Sequence, residues 1–412
     1  MEILFITLLN IINIDEHDIY SDLMREFAKN GNNVTIVSPI ERRFKKKSQI
    51  ISYEDSGDWH ENVRILKVKT GNIQKTNIIE KGISTILLES KITRAIKKYL
   101  KNDKFDLVLY STPPITLVKP IAFIKKRDDA KTYLMLKDIF PQNAVDLGML
   151  KTHGLKGVLY KFFRKKEKKL YARSDKIGCM SQANVDYILK HNSEINPKKV
   201  EIFPNCIEPV DVSLTAEEKR EMRIKYDIPL DKTVFVYGGN LGKPQGIPFI
   251  IDCLRAEKEN DRVFFLIVGD GTEYGKLEQF AKTEKPANFK LMKRLPSEEY
   301  DKMIAACDVG MIFLDHRFTI PNFPSRLLSY MQAGLPVLAC TDPNTDVGKV
   351  IEEGGFGWWC ESDNLMIFCK FIEDAMLMSY SQLKNNETKF LYENYSVKAV
   401  SETIIQSVRG KK

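Results

Sequence analysis

The glycine-rich segment Gly238–Gly246, GGNLGKPQG, has the residue types of an anion-binding turn. It follows an apolar run that predicts a strand, and it precedes Ile247–Leu254, whose apolar spacing predicts a helix. Glycines let a backbone approach an anion closely, and the first turn of a helix adds free N–H groups and a favourable dipole. Lys243 contributes a positive charge, although the G-x-x-x-x-G-K-[ST] pattern of a Walker loop is absent. The segment predicts a phosphate-binding turn, with an ordinary glycine-rich turn as the alternative.

The segment Asn322–Ala339, NFPSRLLSYMQAGLPVLA, is the most specific pattern in the chain. A proline-containing loop leads into a helix predicted over Ser325–Ala333, which ends at a glycine followed by an apolar strand. Backbone N–H groups at Phe323 and Ser325, with Arg326 beside them, suit a diphosphate. The alternative is an ordinary joint between a helix and a strand.

Small or polar residues also follow other apolar runs. Gly269–Glu273, GDGTE, follows the next run of the second half, and by itself it indicates only a helix start. In the first half, Asp138 in LKDIFPQ and the STPPI segment with Ser111 and Pro113 end two runs, and His17 lies in the first loop. Ligands collect at the carboxyl ends of parallel strands, so Asp138 is a candidate for hydrogen-bonding a ligand, with capping of the next turn as the alternative. His17 is a second candidate, although a lone histidine is more often structural.

The order of the elements indicates two α/β domains. Apolar runs that predict strands alternate with helical spacing in the first half, at residues 1–9, 34–37, 105–110, 132–136, 175–180 and 200–203. After a charged helix predicted over Val212–Tyr226 the alternation restarts, with runs at 233–237, 262–268, 289–292, 309–314 and 337–339. A chain of 412 residues is also too long for one core. We therefore predict two Rossmann-like parallel-sheet domains, 1–207 and 208–390, followed by a helical tail, 391–412.

Composition excludes several classes of protein. A hydrophobic content of 43% with 29% charged residues is typical of a folded chain, and the net charge of +8 favours anionic partners without proving any. The seven cysteines form no C-x-x-C pair and no zinc-like spacing with histidine, which favours reduced thiols. No apolar run reaches the roughly 18 residues of a membrane-spanning helix. The sequence has no recognition motif for nucleic acid, and we predict no such partner.

Taken in order, these segments resemble the retaining family 4 glycosyltransferases of GT-B fold. The glycine-rich loop, VGDG, the loop at RLP and the helix ending in AG-x-PV match the second half of that family, and LKDIFPQ, MSQAN and FPNCI match the first. The segments KDIFPQNAVDLG and GNLGKPQG are most similar to bacterial members that build capsule, O-antigen and similar surface polysaccharides. The resemblance covers nearly the whole chain. It implies two Rossmann-like domains facing across a cleft, with a C-terminal helix that returns to the N-terminal domain.

The resemblance also implies an activity. The donor is a nucleoside-diphosphate sugar, with uridine as the base and an N-acetylated hexosamine or deoxyhexosamine as the sugar, and the acceptor is a glycan linked to polyprenyl diphosphate. Transfer retains the anomeric configuration. No DxD pair stands at a strand end, so we expect no metal, and Lys243, Arg326 and helix N-termini neutralise the diphosphate instead. No cofactor is expected beyond the donor substrate.

Carried over position by position, the family pattern gives a set of site residues. The donor-binding residues are Gly239, Asn240, Gly242, Lys243, Gln245, Gly269, Gly271, Arg294, Leu295, Asn322, Phe323, Pro324, Ser325, Arg326 and Ser329. Asp138 is the expected catalytic residue, because its carboxylate can orient the donor by accepting a hydrogen bond from a sugar hydroxyl. His17, Ser111 and Pro113 are expected on the acceptor side.

The chain departs from the family at four of its functional positions. The two donor-site glutamates of the family fall on Pro321 and Ser329, and the basic pair of the first loop falls on Asn240 and Gln245. Lys243 is then the remaining charge in that loop. These departures leave two alternatives open: a nucleotide-sugar-binding partner subunit without catalysis, or a UDP-amino-sugar 2-epimerase of the same fold.

Two basic stretches lie in the first half, Glu41–Ser48 and residues 154–176. The second also carries leucines and phenylalanines, and a basic amphipathic helix can lie on anionic lipid. The alternative is a solvated helix that covers the sheet. A lipid-linked acceptor favours peripheral contact with an anionic membrane, so we predict a cytoplasmic protein at the inner face of the plasma membrane.

Overall fold

The computed structural model describes residues 1–53, 56–73, 78–378 and 380–409. The chain forms two compact units: Met1–Glu208 together with the chain from Val397 onward, and Pro209–Ser396. We call these unit 1 and unit 2. The chain passes from unit 1 to unit 2 after Glu208, one residue beyond the predicted boundary at 207/208. The return to unit 1 lies six residues beyond the predicted start of the tail at 391, because that position falls inside a helix, Tyr380–Asn394, of unit 2.

Unit 1 is built on an eight-stranded sheet. Its strands are β1 (Glu2–Ile6), β2 (Asn33–Glu41), β3 (Gln49–Ser52), β4 (Val63–Thr70), β5 (Leu107–Thr112), β6 (Lys131–Leu136), β7 (Lys176–Cys179) and β8 (Val200–Ile202). Its helices are α1 (Ser21–Lys29), α2 (Ile78–Tyr99), α3 (Val118–Asp128), α4 (Gln142–Asp146), α5 (Gly154–Arg173), α6 (Gln182–His191) and α15 (Val397–Arg409). The strand order is β3-β4-β2-β1-β5-β6-β7-β8, and β3 alone pairs antiparallel, with β4. Strands β2 to β4 lie on one side of β1 and strands β5 to β8 lie on the other, so the strand order reverses beside β1. The carboxyl ends of the parallel strands β1, β5 and β6 therefore lie side by side.

Unit 2 is built on a six-stranded parallel sheet in the order β11-β10-β9-β12-β13-β14. Its strands are β9 (Thr233–Asn240), β10 (Val263–Asp270), β11 (Phe289–Met292), β12 (Val309–Phe313), β13 (Val337–Thr341) and β14 (Gly357–Glu361). Its helices are α7 (Ala216–Lys225), α8 (Ile247–Ala256), α9 (Tyr274–Glu284), α10 (Ser297–Ala305), α11 (Arg326–Ala333), α12 (Val347–Glu353), α13 (Leu365–Leu377) and α14 (Tyr380–Asn394). The two mostly parallel sheets confirm the predicted α/β architecture with two Rossmann-like domains.

Most of the strands that sequence predicted are buried apolar runs, although β8 and β11 were also predicted and are at most partly buried. All six residues of β5 are buried, as expected for a central parallel strand covered by helices on both sides. Two strands of unit 1 were not predicted, β3 and β4. The first is a largely exposed edge strand, and the second, VRILKVKT, interrupts its apolar residues with charges. The edge strand β14 of unit 2 was also missed.

The last helix leaves unit 2 and joins the core of unit 1. Val397, Val400 and Ile404 of α15 are buried in the same apolar cluster as Leu23 and Phe27 of α1. This packing confirms the expected return of the C-terminal helix to the N-terminal domain. Within the described ranges, no helix combines the length and the apolar character that a membrane crossing requires.

Glu387 is a fully buried carboxyl on α14, and neither of its oxygens has a hydrogen-bond partner among the described residues. Burial raises its pKa well above the usual range, and the nearby charge of Lys384 offsets this only in part. The native state therefore holds a proton that the unfolded chain releases at lower pH. Stability falls as pH rises between the unfolded and folded pKa values, by about 1.4 kcal/mol for each pH unit in that interval.

We expect Glu387→Gln to raise the free energy of unfolding at pH 7 by at least about 1 kcal/mol, because it removes this ionisation. The gain is smaller at pH 5, so the pH dependence of stability is flatter in the variant. Urea unfolding at several pH values measures both effects. Glu393→Gln, an exposed position on the same helix, is the control and leaves the slope unchanged. Parallel pH profiles for Glu387→Gln and the parent protein would contradict the prediction.

Candidate functional site

The loops that follow β9 and β10 lie in direct backbone contact. Gly239 and Gly269 are register partners, and a Cβ on Gly269 would stand only 2.0 Å from the carbonyl oxygen of Gly239. A Cβ on Gly271 would stand 2.4 Å from the carbonyl oxygen of Leu241. Gly239 itself has φ of +125°, a conformation that favours glycine. A side chain at Gly269 or Gly271 would therefore force the two loops apart, whereas Gly239 contributes through its backbone conformation.

A neutral amide pair holds the glycine-rich loop. The Nδ2 of Asn240 donates to the Oε1 of Gln245 over 2.9 Å, and the backbone N–H of Gly242 donates to the same oxygen over 3.1 Å. Asn240 is exposed and Gln245 is buried. The two positions where the family carries its basic pair are thus bonded to each other, and they fix the shape of the loop without adding charge.

Arg326, the first residue of α11, lies against the end of β9. Its guanidinium is 4.2 Å from the ring centre of Tyr237, and its Nη2 is 3.5 Å from where a Cβ of Gly239 would stand. The buried Nη1 has no hydrogen-bond partner among the described residues, and the same part of the chain gives Arg326 no carboxylate partner. The end of β9 therefore presents a guanidinium whose charge is uncompensated and which has an open donor.

Three tyrosines surround this guanidinium, and sequence analysis did not identify them. Tyr330 lies beneath the sheet edge, where its hydroxyl accepts from the N–H of Gly238 over 3.2 Å and donates to the carbonyl of Met311 over 3.0 Å. Burial raises its pKa to about 12, and the charge of Arg326 opposes that shift. Tyr237 is buried and Tyr300 partly buried beside it, and withdrawal from water raises the pKa of each. The arginine is therefore supported by neutral hydroxyls and aromatic rings.

Glycines in the strands make room for these rings. A Cβ on Gly238 would lie 1.8 Å from the hydroxyl of Tyr300, and one on Gly310 would lie 2.5 Å from the ring of Tyr330. The glycine inside the VGMIF strand was the available signal for this packing, because an isolated glycine in a strand often marks a close approach.

The remaining predicted donor residues lie on the same edge of unit 2. Lys243 is exposed in a short 3₁₀ turn, Lys243–Gln245, and belongs to no ion pair within the described ranges. Arg294 and Leu295 follow β11, the first exposed and the second partly buried. None of these side chains is fixed by a strong contact.

The loop before α11 is more firmly held. The carbonyl of Asn322 accepts from the hydroxyl of Thr345 over 2.5 Å, and the buried ring of Phe323 lies 6.1 Å from that of Tyr395. Pro324 is partly buried and Ser325 exposed; Ser325 occupies the N-cap position of α11 without making a capping bond, and Ser329 lies partly buried within the helix.

In unit 1, Asp138 is the second residue after β6. Both of its carboxylate oxygens accept from the Nδ2 of Asn143, over 2.7 and 2.8 Å, while the hydroxyl of Thr112 donates to its backbone carbonyl. Burial raises the pKa of Asp138 to about 6, although the bonds from the Ile139 backbone and Asn143 lower it. The carboxyl therefore changes charge close to neutral pH.

The residues expected on the acceptor side lie on neighbouring strands. Ser111, on β5, is buried and hydrogen-bonded to the hydroxyl of Tyr20, whereas Pro113 is exposed between two cis peptide bonds. His17 lies in the loop after β1, with its Nδ1 3.1 Å from the Nη2 of Arg25. The structure thus brings Ser111, Pro113 and Asp138 to adjacent strand ends, and ties His17 to α1. No group of metal-ligating side chains occurs within the described residues.

Comparison with known families matches each half of the chain. Residues 20–210 match the family described as Glycosyltransferase Family 4, and residues 218–379 match Glycosyl transferases group 1. The matches are consecutive and correspond to units 1 and 2. The chain is therefore a glycosyltransferase of the family 4, GT-B type.

Individual relatives agree with this assignment. A probable glycosyltransferase, WbjE of Pseudomonas aeruginosa, is 24% identical over 330 residues, which is 78% of each chain. The putative colanic acid biosynthesis glycosyl transferase WcaI of Escherichia coli K12 is 22% identical over 281 residues, 67% of each chain. The crystal structure of Anabaena Alr3699/HepE in complex with UDP superposes with a TM-score of 0.67 at 15% identity, covering 99% of this chain and 100% of that one. This likeness confirms the GT-B fold.

Asn143→Ala is expected to raise the pKa of Asp138 above its present value of about 6, because the carboxylate loses two stabilising hydrogen bonds. A ¹³C NMR titration of the aspartate carboxyl carbons measures the change, and Asp138→Asn identifies the resonance. Gln142→Ala is the control, since the neighbouring Gln142 side chain bonds Asp146 instead. An unchanged titration in Asn143→Ala would mean that these hydrogen bonds do not control the charge of Asp138.

Proposed function

We propose that the chain transfers a sugar from a uridine-diphosphate sugar to a lipid-linked glycan during synthesis of a bacterial surface polysaccharide. The observation that carries the proposal is Arg326, a guanidinium without a carboxylate partner among the described residues, at the carboxyl end of the central strand of unit 2. A planar guanidinium forms paired hydrogen bonds to phosphate oxygens, and such charge-assisted bonds are stronger than neutral ones. The named relatives support the polysaccharide role, since WcaI bears the name of colanic acid biosynthesis.

The donor diphosphate is proposed to lie over Gly239 and to bond Arg326. The missing side chain at Gly239 lets the phosphate approach the backbone, and the exposed Lys243 adds a second charge from the same loop. Uridine is supported by structural relatives that hold UDP or UDP-2-fluoro glucose. An N-acetylated hexosamine or deoxyhexosamine as the donor sugar is proposed on the family resemblance.

In the proposed reaction the oxygen of the acceptor hydroxyl forms a bond to the anomeric carbon as the bond to the diphosphate oxygen breaks, and the hydroxyl proton passes to the departing diphosphate. Arg326 and Lys243 neutralise the charge that develops on the diphosphate, which is the role a metal ion has in other transferases. We therefore propose metal-independent transfer, with retention of configuration as in the family. The carboxylate of Asp138 orients a sugar by accepting a hydrogen bond from one of its hydroxyls.

A thermal-shift titration with UDP, with and without EDTA, tests the donor site. Ligand binding stabilises the native state by about 2.7 kcal/mol at a hundredfold excess over the dissociation constant. We expect UDP to raise the melting temperature equally with and without EDTA, and Arg326→Ala to weaken UDP binding at least tenfold because the diphosphate loses its guanidinium. Arg262→Ala, at the opposite end of the same sheet, is the matched control.

Each other result is informative. No shift with UDP in the parent protein would overturn the donor site, and a shift lost with EDTA would overturn metal independence. UDP binding without turnover of any UDP-sugar would favour the partner subunit that binds a nucleotide sugar without catalysis.

The membrane contact is proposed for one surface of α5. Its members are three exposed apolar residues beside three exposed lysines that make no ion pair among the described residues: Val158, Leu159, Phe162, Lys161, Lys165 and Lys169. The lysines follow one another at four-residue spacing, so they form one ridge of the helix. They border a groove of about 490 Å³ together with Tyr160 and Lys168. In the other basic stretch, Arg42 and Arg43 are neutralised by Glu80 and Glu41.

We expect the triple change of Lys161, Lys165 and Lys169 to glutamate to abolish flotation with anionic liposomes at low salt. Each basic residue near an anionic surface contributes roughly 1 kcal/mol, and salt screens it. The control changes three exposed lysines of unit 2, Lys219, Lys282 and Lys349, to glutamate and gives the same net charge. Equal flotation of the two triple variants would mean that the net charge of the protein, and not the surface of α5, determines liposome binding. Failure of the parent protein to float would overturn the membrane contact.

A further inference from the structure

Unit 1 contains two lysines whose ammonium groups are withdrawn from water without a carboxylate partner among the described residues. Lys67, on β4, donates to the Oδ1 of Asn10 and the carbonyl of Ile11, both over 2.7 Å, and to the hydroxyl of Ser38 over 3.0 Å. An ammonium has three N–H donors, so every donor of Lys67 has an acceptor. Lys67 therefore has a complete structural role, tying the loop after β1 to the neighbouring strands.

Lys137 differs from Lys67 in the number of its hydrogen-bond acceptors and in its position at the carboxyl edge of the sheet. Its Nζ donates to a single acceptor, the carbonyl of Pro204 over 3.2 Å, and lies 4.3 Å from the ring centre of Phe203. It also follows β6 at the carboxyl edge of the sheet, directly before Asp138, and its side chain is only partly buried. Two N–H donors of a positive charge are thus left at the edge where an α/β sheet binds its ligands.

The groups that face Lys137 do not neutralise it. Besides Phe203 and Pro204 they are the thiols of Cys179 and Cys206, and burial raises the pKa of both to about 12. Both thiols are therefore neutral at physiological pH. Withdrawal from water lowers the pKa of Lys137 to about 8, so the ammonium still carries its charge at pH 7 at a cost to stability.

We infer that Lys137 binds an oxyanion of the acceptor substrate, either a phosphate of a lipid diphosphate or the carboxylate of an acidic sugar. The inference rests on the proposed function, because that function places the donor diphosphate in unit 2 and leaves unit 1 to the acceptor. An oxyanion supplies acceptors for the open donors of Lys137 and compensates its charge. Lys137 is then a residue that selects anionic acceptors.

Isothermal titration with inorganic pyrophosphate and with glucuronate, both in the presence of saturating UDP, tests the inference. UDP occupies the donor site, so the anion measured is a second one. We expect at least one of the two to bind, and the one that binds identifies the phosphate or the carboxylate as the recognised group. Lys137→Met weakens that binding at least tenfold, whereas Lys131→Met, an exposed lysine at the other end of the same strand, leaves it unchanged.

The pH dependence of the anion affinity distinguishes a binding role of Lys137 from a purely structural one. In the parent protein the anion affinity falls above pH 8, approaching tenfold for each pH unit, because the ammonium loses its proton. Lys137→Arg keeps its charge and removes this fall. A purely structural lysine predicts instead that Lys137→Met lowers the melting temperature and leaves anion affinity unchanged, and that result would overturn the inference. If the parent protein binds UDP but no anion, the inference about Lys137 is overturned and the donor site stands. If the parent protein does not bind UDP, the donor site is overturned, and the anion titration of Lys137→Met still decides the role of Lys137.

Discussion

The edge of unit 2 at the carboxyl ends of its strands depends on one close approach, that of the loops after β9 and β10. Gly269 meets the carbonyl of Gly239 at a distance that excludes any side chain, so these two loops form a single rigid edge. The amide pair of Asn240 and Gln245 then holds the glycine-rich loop on this edge. Arg326 reaches the same edge from α11 and lies beside Gly239. The contact between the two loops of the proposed diphosphate site therefore depends on the absence of side chains at Gly269 and Gly271.

The departures from the family pattern are consistent with one another. The family's later donor-site glutamate corresponds here to Ser329, which lies three residues after Arg326 on the same helix. A carboxylate at that spacing would pair with the arginine and neutralise it. With serine there, the guanidinium of Arg326 keeps its charge, and Lys243 is the remaining charge of the glycine-rich loop. The candidate site therefore keeps positive charge although amides replace the loop's basic pair.

Strands that are continuous apolar runs were predictable from sequence, and residues of the candidate site were predictable where they lie in loop patterns that follow such runs. Runs such as β5 and β10 are continuous apolar segments, whereas β4 includes a buried lysine whose three acceptors come from distant parts of the chain. Arg326 was found by its position in a loop pattern. Tyr330 was not, because a tyrosine on an amphipathic helix gives no sign that its hydroxyl bonds the backbone of two strands. The predictive signals were local, and the missed features depend on contacts between residues far apart in the chain.

Three ionisable side chains that are withdrawn from water to different degrees show how the surroundings decide what such a group does. Lys67 has an acceptor for every donor, so its charge stabilises a loop. Neither carboxyl oxygen of Glu387 has a hydrogen-bond partner within the described residues, so Glu387 stays neutral by holding a proton. Lys137 is intermediate, because it keeps its charge near neutral pH and has one acceptor only. Among the three, Lys137 alone lies at the carboxyl edge of a sheet, where a ligand can supply the missing hydrogen-bond partners. Missing partners therefore only lower the stability of the protein at Glu387, whereas at Lys137 they are the basis of the proposed anion binding.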